Sequence, residues 1–135
     1  MNHSPHFRQL LAAAAAQPEP QRLLFVFAVA ELPDSATPEQ RERFQSGRGG
    51  ALAPLMCVDK APGDVTDFAG LVSEAGRAGP PWSVVFAASL SGQGGRPPDK
   101  ARIDLALETM VEAVRDDRIS GFAAYGSQGE FLEIG

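Results

Sequence analysis

The sequence predicts a single α/β domain: a mixed sheet of about five strands with helices packed on it, in the order α-β-α-β-α-β-α-β-β, closing on a C-terminal β-hairpin. Three observations predict it. Apolar runs of strand length (Leu23–Ala30, Leu52–Asp59, Trp82–Ala88) alternate with segments whose apolar residues recur at helical spacing. Clusters of Gly and Pro separate the two kinds of segment. The chain of 135 residues, 44% apolar and 21% charged, has the size and composition of one globular domain, able to bury roughly two-thirds of its unfolded surface. The domain is expected to span residues 1–135, with 1–4 as a flexible tail.

Each element has its local reason. Ser4 caps the first helix, Pro5 takes its first position, and Phe7, Leu10, Leu11 and Ala14 form one stripe. The helix ends before Pro18, and Gln17–Gln21 is a short stiff connector. Leu23–Ala30 is apolar almost throughout, as befits a strand buried on both faces. Thr37-Pro-Glu-Gln40 opens a short helix to about Gln45 with little apolar surface beyond Phe44, broken at Gly47–Gly50. In the second strand Pro54 has no N–H to donate, so the strand either lies at a sheet edge or becomes regular only from Leu55. Asp64 is expected to cap a third helix with Val65, Phe68, Ala69, Val72 and Ala75 inward, ended by Gly76, Gly79 and Pro80-Pro81. A fourth helix runs from about Lys100 to Asp116 with Ile103, Leu107, Met110, Val111 and Val114 on its core face. Gly121–Tyr125 and Glu130–Ile134 flank a turn and read as the hairpin. An amphipathic helix joins strands two and three, so they run parallel. Strand one is open to two readings, parallel or antiparallel to strand two.

Composition excludes several classes of function. A net charge of −5, with no basic cluster beyond Arg41/Arg43 and Arg115/Arg118, offers nucleic acid no positive stripe. The longest apolar run, Leu23–Ala30, is far too short to span a bilayer. Leu10–Ala16 after Arg8 has the look of a signal-peptide core, but the cap and stripe make it a helix of the fold. A lone cysteine, Cys57, permits no internal disulfide and points to a reducing, cytoplasmic setting. No cofactor signature is present in the sequence.

The one segment that speaks of binding is Ser89-Leu-Ser-Gly-Gln-Gly-Gly-Arg96, between an apolar strand and a capped helix. Glycine-rich backbone there can present N–H groups to an anion. Ser89, Ser91, Gly92, Gly94, Gly95 and Arg96 are the candidate ligand-binding residues, with a phosphate or carboxylate as ligand. The loop has no lysine followed by Ser or Thr, so it is not a P-loop, and its glycine spacing is not that of a dinucleotide fingerprint. A plain flexible turn is the default reading of the same residues. In Cys57-Val-Asp-Lys60 the strand period puts Cys57 and Asp59 on one face and Lys60 on the other, and Cys57 reads as a buried core thiol. The two histidines, His3 and His6, stand at the N-terminus, outside the expected body, so no Ser-His-Asp or Cys-His arrangement is assigned and no catalytic residue is named. Met1-Asn2-His3 places an imidazole three residues from a free amine, a geometry able to hold Cu(II) or Ni(II); His3 is the one weak metal candidate. Glu31 and Asp34 follow strand one, and Asp59 and Asp64 flank the end of strand two. They share an edge with the glycine loop only if all three strands are parallel.

Pro18-Glu-Pro-Gln-Arg-Leu-Leu-Phe-Val-Phe27, Glu31-Leu-Pro-Asp34, Thr37-Pro-Glu-Gln-Arg41, Pro54-Leu-Met-Cys-Val-Asp-Lys60 and the Val85–Gly95 segment together resemble a family of small uncharacterised proteobacterial proteins of about this length. Members often carry the automatic label of a ribonucleotide reductase alpha subunit. That chemistry needs a radical cysteine and redox cysteine pairs, which one cysteine cannot supply. The resemblance implies a bacterial, cytoplasmic origin and carries over no catalytic residue. The expected function is therefore a non-catalytic binding or interaction module, meeting a protein partner or a second copy through a free strand edge. The alternative is a small enzyme or ligand-responsive domain that takes an anionic metabolite at Ser89–Arg96.

Overall fold

A computed structural model describes residues 4–31, 38–39 and 51–132. Its elements are α1 (Pro5–Ala15), β1 (Gln21–Glu31), β2 (Ala51–Lys60), α2 (Phe68–Ala78), β3 (Val84–Ser91), α3 (Lys100–Arg115), β4 (Ala123–Gly126) and β5 (Phe131–Leu132), with a 3-10 turn at Pro62–Asp64. The strands form one open sheet in the order β2-β1-β3-β4-β5. Every neighbouring pair is antiparallel. β2 and β3 both oppose β1, so they run the same way with β1 between them, as the helical crossover required. β1 takes the antiparallel of its two readings. β4 and β5 form the C-terminal hairpin. The helix expected over Thr37–Gln45 lies outside the described residues, except Pro38 and Glu39, which are helical. His3 also lies outside them.

β1 explains the layering. Leu23, Phe25 and Phe27 point to one face, where they pack with Phe7, Leu11, Phe68, Leu71 and Tyr125 under α1 and α2. Leu24, Val26 and Ala28 point to the other, under Ile103, Leu107, Met110 and Val114 of α3. A central strand covered on both sides needs apolar residues at consecutive positions, which is why Leu23–Ala28 is an unbroken buried run. Aromatic side chains dominate the first face: the Phe7 ring meets Phe68 and Tyr125 edge-on, with centroids 5.3 and 5.4 Å away.

Four local expectations need correction. Ser4, assigned to a flexible tail, is buried and accepts the Phe7 N–H as the α1 cap. α2 begins three residues later than the Asp64 reading, because Asp67 caps it through the Gly70 N–H at 2.8 Å. Ala69 is consequently exposed, and the inward stripe is Phe68, Leu71 and Ala75, with Val72 half-buried. Cys57 is exposed, not buried. β2 is an edge strand, as Pro54 suggested, and its register slips between the Phe27–Met56 and Ala28–Pro54 pairs, leaving Leu55 as the extra residue of a bulge.

Candidate functional site

The antiparallel sheet decides which residues meet. Gln21 pairs with Ser91 and Leu23 with Lys60, so the start of β1 lies beside the ends of β2 and β3. Glu31, at the far end of β1, is removed from the glycine loop by the length of the strand. Asp59 stays at the loop's end of the sheet, but its carboxylate is 2.6 Å from the Arg22 guanidinium. Lys60 crosses to the opposite face and meets Glu74 of α2 at 2.5 Å. Cys57 and Asp59 do share a face, and partial desolvation against the sheet, then the Asp59 and Asp104 charges, push the Cys57 thiol up from its ordinary value. A thiol so placed is less nucleophilic at neutral pH than a free one.

The glycine loop is a closed hairpin. Gln93 and Arg96 exchange both backbone hydrogen bonds, at 3.0 and 3.1 Å, around Gly94 and Gly95. Those two glycines have φ of +61° and +79°, the left-handed pair that a type I′ turn requires. Gly92 donates to the Pro20 carbonyl at 2.8 Å, and a Cβ on it would stand 1.9 Å from the Arg96 carbonyl oxygen. The Gly95 N–H donates to a carboxylate at 2.7 Å, that of Glu19. The loop thus holds an anion supplied by its own chain. The two serine hydroxyls are also engaged: Ser89 donates to Gln21 Oε1 at 2.7 Å, and Gln21 Nε2 donates to Ser91 Oγ at 3.1 Å. Glu19 and Gln21 went unremarked in the sequence, where nothing local ties either to a loop some seventy residues away.

His6 is the larger omission. It does not stand outside the body: it is the second residue of α1, its Nδ1 lies 2.7 Å from the Tyr125 hydroxyl, and its ring stacks on Phe131 with centroids 3.8 Å apart. Tyr125 is fully buried, and burial pushes its phenol up to about 12. From His6 an open groove of about 430 Å³ runs along α1, lined by His6, Gln9, Leu10, Ala13, Ala14 and Gln17, then Gln21, Leu23, Ala88 and Ser89 of the sheet. None of these side chains is a carboxylate, a lysine or an arginine. The volume is within the range of ligand sites.

Beside the groove the sheet has a notch. β1 pairs with all of β3, from Val84 to Ser91, whereas β4 pairs only with Val84–Ala87 and, among the described residues, no strand pairs with Ala88–Ser91 on that side. Antiparallel ladders alternate which edge each residue's N–H and C=O face. The Gly92–Pro20 bond puts even-numbered β3 residues toward β1, so Ser89 and Ser91 direct their backbone groups into the notch. The Arg102 guanidinium caps the Ser91 carbonyl at 3.2 Å. Ser89 is exposed, and no described residue takes up its backbone N–H or C=O.

Among the described residues no helix is long and apolar enough to cross a membrane. No family model, no curated protein and no solved structure matches the chain.

Proposed function

We propose that the protein is a non-catalytic interaction module of the bacterial cytoplasm that binds an extended, uncharged segment of a protein partner in the groove between α1 and the β3 edge. The observation that carries this is the outward-facing, unpaired backbone of Ser89 at the floor of a neutral groove. Unpaired strand edges accept added strands through main-chain hydrogen bonds, and adjacent side-chain surface supplies selectivity. Dimensions favour an extended guest. The α1 side of the groove, from His6 to Gln17, is roughly 16 Å long at 1.5 Å per residue, about the length of five residues of strand. The other long edge, β2, suits this role less, since Pro54 and the Leu55 bulge interrupt its ladder.

A capped peptide, acetyl-Thr-Val-Thr-Val-Thr-amide, tests the reading in an amide-shift titration of the intact protein. Saturable shifts at Ala88–Ser91 and Gln9–Gln17 are expected. Shifts absent from both segments at millimolar peptide contradict it.

A second reading has one observation in its favour. The Gly95 N–H already holds the Glu19 carboxylate, so a small anionic ligand at Ser89–Arg96 would take Glu19's place. Inorganic phosphate in the same titration tests it. Movement of the Gly95 amide supports the anion site; a static Gly95 rejects it.

A further inference from the structure

We propose that His6 is the specificity-determining residue of the groove: it presents a fixed Nε2–H that reads a carbonyl oxygen of the bound segment. The inference rests on the groove reading above and adds the chemistry by which one position of the guest is recognised.

Tyr125 fixes the orientation of the His6 ring. The tyrosine ring is fully buried, and among the described residues the one polar atom hydrogen-bonded to its hydroxyl is His6 Nδ1, at 2.7 Å. A neutral phenol can donate or accept, but with no other acceptor among the described residues its proton is satisfied only by donating to Nδ1, and we take Nδ1 as the acceptor on that ground. An imidazole that accepts at Nδ1 carries its proton on Nε2. The two nitrogens point away from each other across the ring, so anchoring Nδ1 inward turns Nε2 outward. The ring lines the groove, and among the described residues no acceptor meets Nε2. Stacking on Phe131, at an interplanar angle of 11°, favours this ring plane, and the Tyr125 hydrogen bond selects which edge faces inward. The result is a single oriented donor, held by two contacts from β4 and β5, at one end of a groove whose other polar groups are glutamine amides and the Ser89 backbone. A main-chain carbonyl is the acceptor that an extended segment offers at every residue.

The test has two parts. Long-range proton–nitrogen spectra of the free protein report the tautomer: a protonated Nε2 with an unprotonated Nδ1 is expected, and a protonated Nδ1 would overturn the inference. The capped Thr-Val peptide is then titrated into wild type and His6→Phe, which keeps a ring to stack on Phe131 but loses the donor. Loss of one neutral hydrogen bond predicts about three- to tenfold weaker binding, alongside a peptide-dependent shift of Nε2 in wild type. Tyr125→Phe serves as the second variant, since it frees the ring without touching the groove; it should weaken binding less than His6→Phe. If Ser89 moves with peptide while Nε2 stays still and His6→Phe binds equally well, the role of His6 is refuted and the groove reading stands. If Ser89 does not move either, both fall.

Discussion

Tyr125 is the only tyrosine in the chain, so its ionisation is directly observable. Its folded-state value of about 12 lies above the usual 10 because the phenolate would be formed in a buried, apolar setting. The sign follows from linkage: the unfolded chain loses this proton first as pH rises. The stabilisation is therefore fully present below pH 10 and is lost as pH climbs through 10 to 12, amounting to about 2–3 kcal/mol over the interval. Tyrosinate absorbance should show a folded-state midpoint near 12, falling to that of a free phenol in denaturant; a midpoint near 10 in the folded protein would refute the burial. Cys57 supplies a second residue-scale prediction. It is exposed, yet its thiol is pushed up, so a thiol reagent should label it completely but more slowly than a free thiol at pH 7.5. Asp59→Asn removes one of the charges responsible and should raise the rate, as stopped-flow labelling would show. The shared face of Cys57 and Asp59 was legible from the two-residue period of a strand. Its exposure was not, because a strand's own residues do not say which strand of a sheet it will become.

At the scale of elements, most of the chain was legible. The caps and prolines of α1 and α3 are local signals, and both helices start where Ser4 and Asp99 require. α2 shows the limit of such signals. Asp64 and Asp67 both stand before an apolar stripe, and tertiary packing chose the second by burying Val65 ahead of the helix. Asp67→Ala should accordingly destabilise the fold by about 1 kcal/mol, measured by urea denaturation, with Asp64→Ala near neutral. Composition gives the glycine loop two readings, a turn and an anion cradle, and the structure has a turn. The partners that engage it from outside, Pro20 and Glu19, depend on the β1–β3 register, which a local pattern does not contain. Gly92→Ala drives a methyl group into the Arg96 carbonyl and should open the hairpin, seen as accelerated amide exchange at Gln93 and Arg96, whereas Gly63→Ala meets nothing and should leave both amides unchanged.

For the whole molecule, the strand order β2-β1-β3-β4-β5 does what no single element can. It puts the longest apolar run in the interior of the sheet, and it leaves β4 four residues short of the end of β3, which makes the notch. Phe25→Ala, at the meeting point of α1, α2 and the sheet, should cost about 3–5 kcal/mol by denaturant unfolding. The site was half legible. α1 carries one charged residue, Arg8, and His6, Gln9, Leu10, Ala13 and Gln17 lie on one uncharged stripe, a pattern readable from the sequence. What that stripe faces is set by a pairing of residues more than sixty positions apart. On the proposed reading the Ser89 backbone is an open strand edge that accepts a partner strand, and site-resolved hydrogen exchange reads this out residue by residue. In the free protein, Ala88 and Leu90 should exchange slowly and Ser89 fast, and saturating acetyl-Thr-Val-Thr-Val-Thr-amide should slow Ser89 toward its neighbours. A Ser89 amide as protected as Ala88 and Leu90 before any peptide is added, or one that stays fast at saturation, would contradict the account.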